Sequence, residues 1–382
     1  MKSSYDCVII GGGVSGLTIG YDLCKRGMTD VLVVEKSYIG SGASGRNGGG
    51  VRAQWTTKEN IRIAKESIEI FRKLSAKLGY NIWFRQGGYL FLAEDEEQAE
   101  ILKKNARFHN ENDLRTRFVE QNELNNIVPR LDSSKFLAGA FNPNDGTLFP
   151  FPLLWGYRDR IIEMGGEIAT HTDVKGIVTQ NGKITQVDTS AGKIRTDKVV
   201  NAAGKWSSVI GDMAGVKIPT RPFRHEILVT EPLEPFLGPM IVTMTNRLYM
   251  SQSMRGELIG GISDPVEVPS GSWESSIGFA QRMSREILRL FPRLGAARIL
   301  RQWAGSYDVS PDNSPILGEA EGLSGFYLAC GYSGHGLMIS PAVGRMMADL
   351  IAKERKDPLL TQLSLSRFEK KGESRKETLV IG

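Results

Sequence analysis

Gly11, Gly13 and Gly16 stand at the spacing G-x-G-x-x-G in VIIGGGVSGLTIGYDL, and Glu35 closes the run VLVVE about 20 residues later. The chemistry this pattern serves is the holding of a dinucleotide pyrophosphate. Gly11 permits a tight turn, Gly13 lets a phosphate approach the main chain, and Gly16 lets a helix lie close on a strand. Val14 and Ser15 open that helix, so its free N–H groups and the positive end of its dipole face the phosphates. The Glu35 carboxylate falls where it would accept from ribose hydroxyls.

These residues need elements to place them. Residues 5–10 are apolar but for Asp6 and end in the β-branched run Val8–Ile10, as in a buried parallel strand, and the spacing from Val14 to Arg26 is helical. The stretch KSYIGSGASGRNGGGVRAQW that follows Glu35 is dense in glycine and serine. Its composition suits a flexible linker or a backbone brought close to a flat ligand. A helix is expected from about Thr57 to Leu78, with Thr56 and Glu59 as a capping box. GGYLFLAED reads as a strand, EEQAEILKKNARFHNEN as an exposed helix, and PFPLLWGYRDRIIEMGG as a helix ending in glycines. Hairpin turns are expected at Asn181-Gly182 and Ala191-Gly192. DKVVNAAGKWS is a buried strand feeding a glycine turn, and residues 221–308 are mostly strands. GFYLACGYSGHGLMISPAVG repeats the opening logic of strand, glycine turn and helix. The expected fold is α/β. A doubly wound, Rossmann-like cofactor domain (residues 1–82, 150–216 and 310–365) is interrupted by an antiparallel-sheet α+β substrate domain (83–149 and 217–309). Residues 366–382 are expected as a charged, solvated tail.

The bulk numbers narrow the classes. With 382 residues the chain is long enough for two domains, and 41% hydrophobic with 24% charged residues is ordinary for a folded protein. The net charge of +5 is modest and no basic run is interleaved with aromatics, so nucleic acid is not an expected partner. The three cysteines, Cys7, Cys24 and Cys330, form no C-x-x-C, which argues for a reducing compartment and against a cluster held by four thiolates of this chain. No metal-ligand cluster stands out. No apolar run is long enough to span a bilayer, and the first strand begins too early to leave room for a cleavable signal. A cytoplasmic protein is expected, with any contact to a membrane running through partners.

One glycine turn would serve a nicotinamide dinucleotide, the alternative cofactor. This chain has three strand-to-glycine turns, at 11–16, 203–204 and 331–336, besides the loop after Glu35. A flavin dinucleotide is long and ends in a tricyclic ring that needs main-chain contacts at its far end, so FAD is expected. The helix opening near Gly336 and Leu337 would point its N–H groups at the N1–C2=O edge of the ring and favour negative charge there.

The opening fingerprint, SGASGRNGGGVR, VVNAAGKWS, RQWAGSYDVSPDNSPILG and GYSGHGLMISPAVG occur in that order over nearly the whole chain. Together they resemble the FAD-dependent family of glycine, D-amino acid and sarcosine oxidases. The resemblance is nearest to the β subunits of multisubunit sarcosine oxidases and of archaeal dye-linked L-proline dehydrogenases. It implies that Gly11, Gly13 and Gly16 hold the pyrophosphate and Glu35 the adenosine ribose. It implies further cofactor contacts from Lys36, Ser44, Arg46, Val174, Ala203, Gly204 and Trp206. Gly334, His335, Gly336, Leu337 and Met338 would lie along the flavin ring. Relatives that attach flavin covalently use a cysteine where this chain has Gly305 and Ser306, or a histidine where it has Pro150, so noncovalent flavin is implied.

The resemblance also implies the chemistry. The expected activity is FAD-dependent dehydrogenation of an amino or imino acid, L-proline first, to Δ1-pyrroline-5-carboxylate. A sarcosine, glycine or D-amino acid oxidase and a noncatalytic flavin-carrying relay subunit are the alternatives. A substrate carboxylate calls for Arg, Tyr or main-chain donors. Arg52, Tyr249 and Tyr307 match positions near the family's substrate pocket, against a phosphate or ion-pair role for Arg52 and core packing for Tyr249. His225 would accept the amine proton or serve as a structural histidine, while His109 and His171 read as surface residues. Oxidase relatives keep a lysine over the flavin that helps oxygen accept its first electron. Ile259 stands in its place here, with Arg255 able to replace it only by a register shift. Slow reaction with oxygen is therefore expected, together with a partner subunit and a second flavin, FMN, at the subunit interface.

Overall fold

A computed structural model of the chain describes residues 1–369 and 376–380. Cys7–Ile10 and Val31–Val34 alternate their side chains across a six-stranded sheet. Cys7, Ile9, Val31 and Val33 pack under the helices Val14–Lys25, Lys58–Leu78, Pro150–Glu163 and Gly336–Lys353. Val8, Ile10, Leu32 and Val34 face the antiparallel hairpins Val174–Gln180, Lys183–Thr189 and Gly192–Arg195. Both faces are covered, which is why these strands are uniformly apolar.

The order of this sheet is Ile316–Glu319, Phe326–Cys330, Val199–Asn201, Cys7–Ile10, Val31–Val34, Glu167–Ala169, parallel throughout except at the first pair. Three glycine turns leave the carboxyl ends of three adjacent strands, Phe326–Cys330, Val199–Asn201 and Cys7–Ile10, at one side.

The second sheet has eight strands, in the order Ile299–Val309, Arg221–Pro232, Glu257–Gly261, Tyr249–Gln252, Met240–Thr243, Tyr89–Ala93, Ala138–Asn142, Arg117–Glu120. It is antiparallel except where Met240–Thr243 lies parallel to Tyr89–Ala93. One face, with Leu90, Leu228, Met250 and Leu258, is covered by Phe279, Met283 and Ile287 of the helix Ile277–Leu290. The opposite face carries Tyr89, Phe91, Ile227, Met240 and Tyr249. A short pair, Gly50–Val51 with Gly146–Thr147, ties the glycine loop to this half of the molecule.

Three local expectations are corrected. The helix Lys58–Leu78 is capped by Thr57, which accepts from the Asn60 N–H at 3.4 Å, not by a Thr56–Glu59 box. Thr56 instead donates its hydroxyl to Glu377 at 2.6 Å. The solvated tail fails where it is described: Glu377 and Leu379 are buried, and Arg367 pairs with Asp312 at 2.8 Å. Residues 370–375 and 381–382 of that tail lie outside the described residues. His109 is buried, not at the surface, because its face of the helix Glu96–Glu111 packs inward and its Nε2 lies 2.9 Å from the Trp55 carbonyl oxygen. Among the described residues no helix is long and apolar enough to cross a membrane.

Candidate cofactor cleft and substrate chamber

The first glycine turn is built as the spacing demands. Gly11 has φ +118°, and a Cβ there would lie 2.3 Å from the Ala202 carbonyl oxygen, so only glycine fits between the two strands. The helix Val14–Lys25 starts at Gly13 without a side-chain cap, leaving main-chain donors at its end. One of them, the Val14 N–H, is taken by Ser44 Oγ at 2.9 Å. The Glu35 carboxylate accepts from the N–H groups of Gly12 at 2.8 Å and Ser37 at 2.9 Å, which pins the acid at the mouth of the turn.

Around this turn runs a cleft of about 1380 Å³, partly open to solvent. Gly11, Gly13, Val14, Ser15, Glu35, Lys36, Ser44, Val174, Ala203, Gly204 and Trp206 line it, as do Gly334, Gly336 and Leu337 at its far end. Gly16 does not; a Cβ there would fall 2.0 Å from the Gly11 carbonyl oxygen, so its part is close packing of helix on turn. Cations stack on the rim: Lys36 Nζ is 3.6 Å from the Trp206 ring centre and the Arg46 guanidinium 4.2 Å from that of Trp273. Lys205 lies 3.9 Å from the Trp273 ring, and burial, with Lys36 and Arg46 nearby, draws its pKa down to about 8.

Beyond the far end lies a smaller chamber, also partly open to solvent, of about 730 Å³ counted with that open space. Arg46, Arg52, His225, Tyr249, Tyr307, His335 and Met338 line it, so the structure brings the four expected substrate residues together beside the last glycine turn. His225 is sandwiched between Tyr249 and Tyr307, with ring centres 5.5 and 5.0 Å away and interplanar angles of 26° and 20°. Its Nε2 is 3.2 Å from the Tyr249 hydroxyl, and Tyr249 in turn hydrogen-bonds Tyr307. Burial lowers the His225 pKa to about 4 and pushes both tyrosines up. Arg52 is 2% exposed and donates to the carbonyl oxygens of Gln54 and Leu379. Its guanidinium stacks 3.5 Å over Trp55, and burial draws its pKa down to about 10, so it stays charged. Behind it, Asp145 accepts from Ala53 N–H at 2.9 Å and Gln54 Nε2 at 3.1 Å, fixing the loop that carries Arg52.

Ile259 lies on the chamber side of its strand. A Cβ on Gly261, two residues along, would sit 2.6 Å from His225 Nε2 and 3.0 Å from the Tyr249 hydroxyl. Ile259 itself packs with the Tyr249 cluster. Arg255 points away: its side chain is 70% exposed and pairs with Glu257 at 3.2 Å. Tyr89, Trp55, Trp273 and Val380 also line the two spaces and were not foreseen. Trp273, in a loop without periodicity, carried no sequence signal. Tyr89 and Trp55 could have been found from their places beside the glycine loop and on an apolar strand.

Residues 6–350 match the DAO family, FAD dependent oxidoreductase. The chain belongs to this family. It is 31% identical to the sarcosine oxidase subunit beta of Rhodobacter capsulatus, over 100% of this chain and 92% of that protein. Its fold is similar to the crystal structure of L-proline dehydrogenase from P. horikoshii, with a TM-score of 0.92 and 37% identity over 97% of this chain and 99% of that one. Glycine oxidase from Bacillus cereus follows at TM-score 0.86 and 27% identity, over 97% and 100% of the two chains. The residues fit FAD. The cleft joins an uncapped helix end to a second uncapped helix, Gly336–Lys353, and two buried polar atoms on its lining, Trp273 Nε1 and Ser306 Oγ, have no hydrogen-bond partner among the described residues.

Proposed function

We propose that the chain is a dehydrogenase of small amino or imino acids, L-proline first, yielding Δ1-pyrroline-5-carboxylate. The observation that carries this reading is the chamber itself. A buried cation, two tyrosine hydroxyls and a neutral histidine converge beside the glycine turn at the far end of the cofactor cleft. The likeness to the P. horikoshii enzyme supports proline as the first substrate to test. FAD, held without a covalent bond, would supply the two-electron acceptor.

The chain's own residues do the rest. Gly11, Gly13, Val14 and Ser15 would hold the pyrophosphate, Glu35 the ribose, and the Gly336–Met338 helix end the ring. Arg52 grips the carboxylate with the donors its two carbonyl contacts leave free, since a guanidinium carries five. Tyr249 adds a hydroxyl, and Tyr307 holds Tyr249. His225 is too weak a base, at a pKa of about 4, to take a proton from an ammonium at neutral pH. Its part is to orient Tyr249, and the substrate binds in its neutral-amine form. Trp55 and Met240 give the chamber apolar walls.

The apolar Ile259 on the chamber side favours a dehydrogenase over an oxidase. Electrons then leave through a partner subunit, which we place with its FMN against Phe149, Phe151 and Trp155. Phe149 meets Phe151 edge-on at 5.9 Å and Phe151 meets Trp155 at a tilt at 5.8 Å; Phe149 and Trp155 stay 44% and 40% exposed, and Phe151 backs onto the glycine loop at Gly45. The test is an anaerobic panel of amino acids with a dye acceptor, run with and without copurifying partners. Bleaching of the flavin by L-proline is expected; a flavin that no amino acid bleaches leaves only the relay role.

A further inference from the structure

Residues 376–380 follow a charge-rich run, yet they are threaded into the molecule. The Glu377 carboxylate is fully buried at the start of the helix Lys58–Leu78. It accepts from the Thr56 N–H at 3.0 Å, the Thr57 N–H at 3.2 Å, Asn60 Nδ2 at 3.2 Å and both threonine hydroxyls. An anion at a helix N-terminus is favoured by the free N–H groups and the dipole. Burial pushes the Glu377 pKa up, but these hydrogen bonds and the charge of Arg52 hold it below the ordinary range, so the anchor stays ionised. The main chain is fastened too: Glu377 N–H donates to the Asp312 carbonyl oxygen at 3.0 Å, and Asn313 Nδ2 to the Glu377 carbonyl oxygen at 3.0 Å.

Two residues on, the chain reaches the chamber. Leu379 packs in the apolar cluster of Tyr89, Phe91, Met240 and Tyr249, and its carbonyl oxygen accepts from Arg52. Val380 lines the chamber and also borders a larger outer cavity that shares His225 and Tyr307 with it. It therefore stands between the two spaces. Arg52 is bonded at once to this segment and exposed to the chamber, so the position of one constrains what the other can hold.

We infer that residues 377–380 form a fixed strap that walls the substrate chamber, with Val380 setting the size of the acid admitted and Arg52 positioning the strap. This rests on the amino-acid reading above. Glu377 fixes the strap at one end and the guanidinium at the other. A branched apolar side chain at the boundary leaves room for a small acid and excludes a bulky one.

The flavin-loaded full chain is titrated with acetate, cyclopentanecarboxylate and benzoate, reading the shift of the flavin absorption band. In Val380→Ala the affinity for benzoate relative to acetate rises about tenfold, the range set by one or two methyl groups in an apolar pocket. In Val380→Phe it falls. A ratio unchanged in both variants, with the acids still binding, overturns the size-setting role and leaves the amino-acid reading standing. The anchor is read separately by hydrogen exchange at the Leu379 amide, which donates to Glu377 at 3.0 Å. Protection in the parent and faster exchange in Glu377→Gln are expected; an amide exchanging in the parent at the rate of an unstructured peptide overturns the strap. A protected amide in a chain that answers to none of the three acids counts against the amino-acid reading, and against the size-setting role with it.

Discussion

Around the cofactor cleft the groups that would meet a ligand are main-chain N–H donors at Gly13, Ser15 and Gly336–Met338, held in place by glycines such as Gly11 that tolerate no side chain. The chamber beside it is walled by large side chains, Arg52, Trp55, Tyr89, His225, Tyr249 and Tyr307, drawn from distant strands of the second sheet and from the glycine loop. A cleft made of backbone can be lost through one added methyl group, whereas a chamber made of side chains is retuned one contact at a time. Damage to the first should remove the cofactor, and damage to the second should leave the cofactor and change the rate.

The largest effect tests that division directly. Gly13→Arg puts a side chain where the Cβ alone would already lie 3.0 Å from Ser44 Oγ, and the purified chain should carry no flavin while keeping its far-ultraviolet circular dichroism. In the parent, acid precipitation should leave yellow FAD in the supernatant. Colour retained in the pellet would contradict the noncovalent assignment, for which the burial of all three cysteines, none of them on the cleft's lining, is further support.

Arg52→Ala should keep its flavin and lose roughly 10- to 150-fold in kcat/KM, the equivalent of about 1.5–3 kcal/mol for a hydrogen bond to a charged group. An unchanged kcat/KM would remove Arg52 from substrate binding. A smaller change is expected from Ile259→Lys, which adds a cation on the chamber side of the sheet. Oxygen uptake should rise several-fold with the same substrate while dye reduction holds or falls. Equal and rapid peroxide production by the parent would sink the dehydrogenase assignment.

The smallest effect concerns pH. His225 has a folded pKa depressed to about 4, so it is already neutral above about pH 5 and adds no limb to the activity profile from there to pH 8. In that range kcat/KM should climb with pH as the substrate amine loses its proton. His225→Gln should lower it a few-fold, about the worth of one neutral hydrogen bond, without bending the curve. A limb near pH 6.5 that vanishes in the variant would restore His225 as a proton acceptor.

The two regions also differ in how far they could be read in advance. The glycine turns were legible because a phosphate must touch backbone, and only certain spacings allow it. The strands that precede those turns were legible with them, whereas their order in the sheet was not read from the sequence. Arg52, Tyr249, Tyr307 and His225 were placed at the pocket by likeness of motifs, since a single arginine or tyrosine has no spacing of its own. What stayed hidden has a common cause. Glu377 lies in a run of mixed charge, His109 in a polar helix, and Thr57 beside an equally plausible Thr56. In each case the deciding partner is brought up from elsewhere in the chain: the Lys58–Leu78 helix end for Glu377, the Trp55 carbonyl for His109, and Glu377 itself for the two threonines.

The cofactor sheet sets Cys7–Ile10 beside Val199–Asn201, and that strand beside Phe326–Cys330. Its neighbours in space thus lie far apart along the chain, about half its length in the first pair and a third in the second. Contacts of such long sequence separation slow folding, because the loop between them must be closed before any pairing is gained. On a ribosome adding roughly 5–20 residues per second, the first strand waits roughly 10–40 seconds for its partner Val199–Asn201, and that strand waits again for Phe326–Cys330. The nucleotide cannot be gripped during that wait, and the apolar strands stand exposed. Cofactor loading is therefore expected only after the last strand has been made, and a fragment stopping short of Phe326, expressed and purified, should aggregate rather than bind flavin weakly.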